Sequence, residues 1–539
     1  MTDGRSNSSG ASPVGPPGGV GATELHHDDS QLVADGEPQE TRALRSVRNG
    51  QAIAIAEIPC VDIEVFRSAV LHAPIQHRRV AALFGACDAS GLRLYGVLAG
   101  DSEGQLHVLS CLLEGESFAS MTPDCPQVHL FERELFEQWN VRPEGHPWLK
   151  PVRFADARST AAMAHPKTIG VTEFYRVEGA EVHEVAVGPV HAGVIEPGHF
   201  RFQCHGEQVL HLEISLGYQH RGIEVAMVER PRKRHLPYME TAAGDTTIGH
   251  TTAYCHNMEG LGDARVSAKA HALRAVALEL ERLANHVGGL GALANDVGYL
   301  PTASFCGRLR GDYLNMSALI CGSRFGRGLL RPGGVAFDIN QAMATELLKR
   351  LEVVHRDVKN AIELMWDTSS VQARFEGTGV VSAADAEALG LVGVAARACG
   401  LERDVRQDLP AGIYRMVQIP VSVAQAGDVF ARAYVRWLEV QRSYDFIREQ
   451  LLAFPAGPLE VPLGPLKPEH LCVSLVEGWR GELCHVALTD TEGQLRAYKV
   501  VDPSFHNWMG LAMALRGQQI SDFPLCNKSF DLSYCGHDL

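Results

Sequence analysis

The sequence predicts an α+β multidomain protein, a small N-terminal α/β domain followed by a helical bundle with peripheral β-hairpins. Three observations predict it. Between Ala270 and Asn295, the residues Leu273, Val276, Ala277, Leu280, Leu283, Ala284 and Val287 recur at the spacing of one buried helix face. Alternating apolar and polar residues, rich in branched and aromatic types, mark strands over 79–114 and again over 470–501. Finally, 539 residues with 45% apolar content suffice for several cores.

Charge and cysteine usage narrow the class. The 64 acidic against 49 basic side chains give a formal charge of -15, a field that argues against nucleic acid or anionic lipid as partners. The basic run from Pro231 to His235 reads as a solvated loop. The thirteen cysteines include no CxxC pair, and thiolates that share a metal or a redox bond normally need that tight spacing. They read as buried apolar thiols of a reducing compartment. Neither a secretory leader nor a run of about 18 apolar residues occurs, so work at a membrane requires partner subunits to hold the chain there.

Residues 1–50 are rich in Gly, Ser, Pro and Asp and predict a disordered extension. Its His26-His27-Asp28-Asp29 run has metal-binding residue types but no fixed geometry. Residues 51–154 form the small domain, in which RVAALFGACDAS, LRLYGVLAG and QLHVLSCLLE read as strands. FERELFEQW reads as a helix with Phe131, Leu135 and Gln138-Trp139 near one face and Glu132, Arg133 and Glu137 toward polar surroundings. This helix and the following Arg142-Pro143-Glu144-Gly145-His146-Pro147 resemble the docking subunit of respiratory complex I, which is fused to the large subunit in some membrane hydrogenases. The resemblance implies a role in assembly. Residues 155–181 read as a linker, and 182–539 as the second domain.

That second domain opens with a β-hairpin system over 182–213. Gly217, His220-Arg221-Gly222-Ile223-Glu224 and His250-x-x-Ala253-Tyr254 follow, then ELERLANHVGGLGALANDVG, Arg331-Pro332-Gly333-Gly334-Val335 and the turn from Glu477 to Glu482. Together these resemble the large subunit of membrane-bound nickel–iron hydrogenases (group 4, the formate hydrogenlyase type) and the quinone-site subunit of complex I. Within the long helix, Glu281 and Arg282 read as a structural ion pair, and Gly288-Gly289 as a bend or a close helix contact.

In such hydrogenases four thiolates hold nickel and iron, because soft, deprotonated sulfur stabilises and bridges these metals. The resemblance places the first pair on Ala243 and Thr246, counting back from His250, and the second on Ser533 and Gly536. Cys535 lies one position off, and a Thr or Ser hydroxyl is not deprotonated at neutral pH as a thiol can be. The expectation is therefore no nickel and no metal in this chain. In complex I the same site holds quinone, bonded by a tyrosine whose position here is Gly244 and by a hairpin histidine matched by His199, with His191 as a second candidate. The implied ligand-binding set is His191, His199, Gly244, Asp245 and His250, with Asp245 and His199 as catalytic candidates. Asp245 reads two ways, as a buried acid of raised pKa that exchanges a proton, or with Thr246 as the N-cap of the next helix. His199 reads either as a ligand contact or as an exposed turn residue.

The implied function is that of an oxidoreductase subunit of NADH:quinone oxidoreductase type, peripheral on the cytoplasmic side of the cell membrane. It would take electrons from an iron–sulfur cluster in a small partner subunit and act with ion-translocating membrane subunits, with a NADH- or formate-oxidising module upstream. Quinone is the implied ligand, and no cofactor is covalently bound. A hydrogenase large subunit and a non-redox scaffold of the same complex are the alternatives. A soluble NAD dehydrogenase would need a GxGxxG after a strand, which this sequence lacks.

Overall fold

The computed structural model describes residues 43–158 and 170–539. Residues 1–42, with the His26–Asp29 run, and 159–169 of the expected linker lie outside the described residues. The last residues of the expected disordered extension are part of the fold. Arg45–Val47 (β1) pairs with a later strand, and buried Asn49 donates to the carbonyls of Leu409 and Leu475 at 2.7 and 2.9 Å. A composition window blurs such an edge, because a few ordered residues are averaged with a long polar run.

The N-terminal region continues with β2 (Ala52–Ala54), β3 (Cys60–Val61), α1 (Ile63–His72), β4 (Arg78–Asp88), β5 (Gly91–Gly100), β6 (Gln105–Leu112) and α2 (His129–Trp139). Five of these strands form a sheet in the order β1–β6–β5–β4, with β3 parallel to β6. Next come β7 (Val182–Val187), β8 (His199–His205) and β9 (Gln208–Ser215), an antiparallel sheet in the order β9–β8–β7. The helices are α3 (Ile223–Glu229), α4 (Thr247–Leu261), α5 (Ala268–Asp296), α6 (Leu300–Cys321), α7 (Gln341–Trp366) and α8 (Val429–Leu452). α5 packs against α4, α6 and α8, and α7 against α6. β10 (His470–Glu477), β11 (Glu482–Thr489) and β12 (Leu495–Val501) follow as expected, and β2 crosses from the N-terminal region to become the edge strand beside β10. One apolar core thus runs from Val47 through Leu98 and Phe131 to Leu471, Val486 and Phe505. The chain closes with α9 (Pro503–Ala514) and the one-turn α10 (Tyr534–Asp538). Among the described residues no helix is long and apolar enough to cross a membrane.

Two helices differ from their periodicity. α2 does not turn its charges outward: Glu132, Glu134 and Glu137 are buried. Glu132 accepts from Ser120, Met121 and Thr122, Glu137 from the amides of Val152, Arg153 and Ala155, and Glu134 pairs with Arg153 and Lys499. Loop amides that need acceptors draw these carboxylates inward. α5 is buried all round, and its polar side is sealed by charge: Arg282 pairs with Glu279 and Glu439, not with Glu281. Gly288 and Gly289 serve close contact, since a Cβ on either would meet Arg310 Cδ at 2.6 Å or Asp531 Oδ2 at 2.9 Å.

Candidate functional site

The loop before α4 and the turn before α10 lie far apart in sequence but meet in space. Arg221 ties them, donating to the carbonyls of Thr241 and Ala242 on one side and of Cys535 on the other, at 2.6, 2.8 and 2.9 Å. Its neighbour Glu224 accepts from Arg158 and the Val500 amide and pairs with Lys499. Burial opposes ionisation there, but Lys499, Arg158 and Arg153 hold the carboxyl down at about 2. The Gly217 and Gln219 amides donate to Asp538 of α10 at 2.8 and 2.9 Å. The His-Arg-Gly-Ile-Glu run is therefore a clamp on the two ligand loops.

Inside this clamp the Gly244 amide meets the Cys535 thiol, and Arg480 links Asp245 and Thr246 to the Asp531 carbonyl. Asp245 is not the isolated buried acid expected from sequence. Arg480, from the turn between β10 and β11, grips both of its oxygens at 2.6 and 2.7 Å, and the Asp245 side chain is 34% exposed. Arg480 also donates to Thr246 Oγ1 at 3.2 Å and to the Asp531 carbonyl at 2.6 Å. Nor does Asp245 or Thr246 cap α4. Thr246 occupies the N-cap position, but its side chain makes no capping bond to the helix amides. The free amides of Ile248 and Gly249 are taken instead by Glu281 of α5, at 2.7 and 3.2 Å. Burial pushes the Glu281 carboxyl up to about 8.

The C-terminal half of the site is filled by a carboxylate. A Cβ on Gly536 would lie 2.6 Å from Asp502 Oδ2 and 2.9 Å from Ser533 Oγ, closer than real Cβ atoms approach. Ser533 Oγ is spent on capping α10 at the Gly536 amide, 2.9 Å away. Asp502 starts α9, accepts from the Ser504 amide at 2.8 Å and from His250 Nε2 at 3.2 Å. His250 Nδ1 meets His485 Nε2 at 3.0 Å, and His485 Nδ1 meets Tyr498 Oη at 2.9 Å. Burial holds His485 well below its ordinary pKa, so one assignment satisfies the row: Tyr498 donates to His485, His485 to His250, and His250 to Asp502. Burial alone would raise the Asp502 carboxyl, but His250 and Arg480 hold it below its usual value.

The hairpin histidines stand beside this site. The β7–β8 loop rests on α10, where Glu196 accepts from the Tyr534 amide at 3.3 Å. His191 donates through Nε2 to the Gly198 carbonyl at 2.8 Å and so closes its own loop. His199 is not exposed. It is 9% accessible, leads β8, meets Phe174 at 5.1 Å between ring centroids and contacts the Gly188 carbonyl at 3.2 Å through Nδ1, while its buried Nε2 has no partner.

The four positions do not fit a nickel–iron centre. They offer a methyl, two hydroxyls and no side chain, and the place of the last is taken by Asp502. Cys535 points its thiol at the Gly244 amide, and burial pushes it up to about 11. Among the described residues, no group of three or more His, Cys, Asp or Glu is arranged to hold a metal ion. Sequence reasoning missed Arg480, Asp502, Glu281, His485 and Tyr498. The Glu477–Glu482 turn pointed toward Arg480, and Asp502-Pro503-Ser504 is a helix-start signal. The others carried no local sign.

Comparison with known proteins gives the class. Residues 296–463 match the family model described as respiratory-chain NADH dehydrogenase, 49 Kd subunit. The chain is 30% identical to the carbon monoxide-induced hydrogenase of Rhodospirillum rubrum over 65% of this chain and 97% of that protein. It is 29% identical to hydrogenase-4 component G of Escherichia coli over 79% of this chain and 77% of that protein. To NADH-quinone oxidoreductase subunit 4 of Thermus thermophilus it is 29% identical, over 65% of this chain and 92% of that protein. These relatives are oxidoreductase subunits. The chain belongs to the family of group 4 hydrogenase large subunits and complex I quinone-site subunits.

Proposed function

We propose that this protein is the electron-accepting subunit of a membrane-associated, complex-I-like oxidoreductase that works without nickel and binds quinone beside Gly244 and Asp245. The observation that carries the reading is the replacement of all four thiolate positions, with Asp502 packed where the Gly536 side chain would stand. Three further features support it. A Cβ on Gly244 would meet nothing within 4 Å, which leaves room where the complex I resemblance has a tyrosine. Asp245 presents a partly exposed carboxylate at that opening, held by the buried guanidinium of Arg480. His199 Nε2 has no partner among the described residues, and with Nδ1–H directed at the Gly188 carbonyl it is an acceptor for a quinol hydroxyl.

In this reading, electrons arrive from an iron–sulfur cluster of a small partner subunit, and membrane subunits translocate the ions. Two electrons and two protons convert a bound quinone to quinol. Asp245, open to solvent and paired with Arg480, is the group through which protons return, and its place is on the cytoplasmic side. The experiment is to purify the intact complex, measure its nickel content and follow reduction of a short-chain quinone analogue in wild type and Asp245→Asn. The expected result is sub-stoichiometric nickel, quinone reduction by wild type and loss of most of it in the variant. Stoichiometric nickel with hydrogen turnover would instead mark a hydrogenase, and an intact complex inert toward the analogue would leave a scaffold.

A further inference from the structure

Away from that site, α2, the loop 146–152, β9 and α9 enclose a cleft of about 710 Å³, within the size range of small-molecule sites. Its walls include Leu130, Val152, Leu212 and Met509, and Trp508 closes one side. Arg133 enters from α2. Its Nε and Nη2 donate to the carbonyls of Lys150 and Pro151 at 2.8 and 2.7 Å. Those bonds fix the guanidinium without neutralising it, and among the described residues it forms no ion pair. The acid that lines the same cleft, Glu213, is committed elsewhere: it pairs with Lys150 and accepts from Trp148 Nε1 at 3.1 Å and the Tyr175 amide at 2.7 Å.

A guanidinium drawn out of water without a carboxylate in contact is costly; burial lowers Arg133 to about 10, and the charges of Glu137 and Glu213 offset this only in part. The neighbouring rings add no anion. His146 donates to the His129 carbonyl at 3.1 Å and accepts from the Trp148 amide at 3.0 Å, which is the pattern of a neutral imidazole. Burial brings His129 down to about 3. Trp508 is 4% exposed, and its indole Nε1 has no partner. The cleft thus combines one incompletely compensated positive charge, a buried N–H donor with no partner among the described residues, and apolar walls.

We infer that this cleft binds a monoanionic amphiphile, a carboxylate on an extended apolar body, with the carboxylate on Arg133 and the body along Leu130, Leu212 and Met509. A single negative charge balances the single free guanidinium, whereas a dianion would also face Glu213. The proposal does not depend on the quinone reading.

The test is calorimetric titration of the full-length chain with decanoate, decanol and acetate. Decanoate should bind saturably, one per chain and at least tenfold more tightly than decanol, because a charge-assisted hydrogen bond is worth about tenfold or more. Acetate should give no saturable heat. Arg133→Gln should bring decanoate down to the level of decanol, and Arg133→Lys should keep part of the difference. Met509→Trp, which fills the cleft and leaves the bonds of Arg133 intact, should abolish both, and this holds the proposal testable if Arg133→Gln fails to fold. Equal affinity for decanoate and decanol, decanoate binding unchanged in Arg133→Gln or in Met509→Trp, or no saturable binding to wild type would each overturn it.

Discussion

Two carboxylates border the emptied ligand positions, and they are built in opposite ways. Asp245 holds a two-point pair with Arg480 at 34% side-chain exposure. Asp502 is 1% exposed, accepts hydrogen bonds from His250 Nε2 and the Ser504 amide, and presses against Gly536. The first presents its carboxylate to solvent, while its partner Arg480 is only 6% exposed. The second cannot move without orphaning a row of buried donors that ends at Tyr498. The half to which the hydrogenase resemblance assigns one pair of thiolates is packed around Asp502, and the other half presents Asp245 to solvent.

Removing Asp502 should break this contrast most severely. Asp502→Ala leaves His250 Nε2 and the Ser504 amide without their acceptor, and should cost about 3–5 kcal/mol in urea denaturation. Asp245→Ala should cost less, about 1–3 kcal/mol, because its own carboxylate is part-exposed while the 6%-exposed Arg480 loses a two-point acceptor. Equal losses would erase the distinction. Next in size, Gly536→Ala drives a methyl into Asp502 and should cost about 1–3 kcal/mol by the same measurement. The third prediction concerns pH. With the Glu281 carboxyl at about 8 in the fold against 4.5 ordinarily, the folded chain keeps a proton that the unfolded chain releases. Stability is therefore full below about 4.5 and is lost as pH rises through 8, by at most about 1.4 kcal/mol per pH unit. Glu281→Gln should flatten the dependence of melting temperature on pH across that window. The smallest effect belongs to Gly244→Tyr, whose side chain enters open space. It should change stability by no more than about 0.5 kcal/mol and, with quinone as the ligand, lower the KM for a quinone analogue.

Much of the architecture was legible from pattern alone. The strands at 79–114 and 470–501 and the helix around Leu280 follow from spacing, because a buried face repeats with the geometry of its own backbone. The site was legible in its empty positions, since counting from His250 finds Ala243 and Thr246 without a structure. Its working charges were not. Arg480 and Asp245 are 235 positions apart, and Asp502 and His250 are 252 apart. Glu281 was read with its neighbour Arg282, although its partners are the amides of Ile248 and Gly249. Glu132 and Glu137 were read as facing polar surroundings for the same reason: a helical charge pattern does not say whether water or a loop amide will satisfy it.

By itself the sequence determined the family, the secondary structure and the absence of thiolates where a nickel–iron centre needs them, because each of these depends on residue identity at a counted position. Only the tertiary structure decided that Asp502 fills the place of the Gly536 side chain, that Arg480 claims Asp245, that Glu281 caps α4 and that Arg133 stands unpaired in a cleft. Pairing and desolvation depend on which distant segments the fold brings within about 3 Å of each other, and that distance is set by packing rather than by the order of residues.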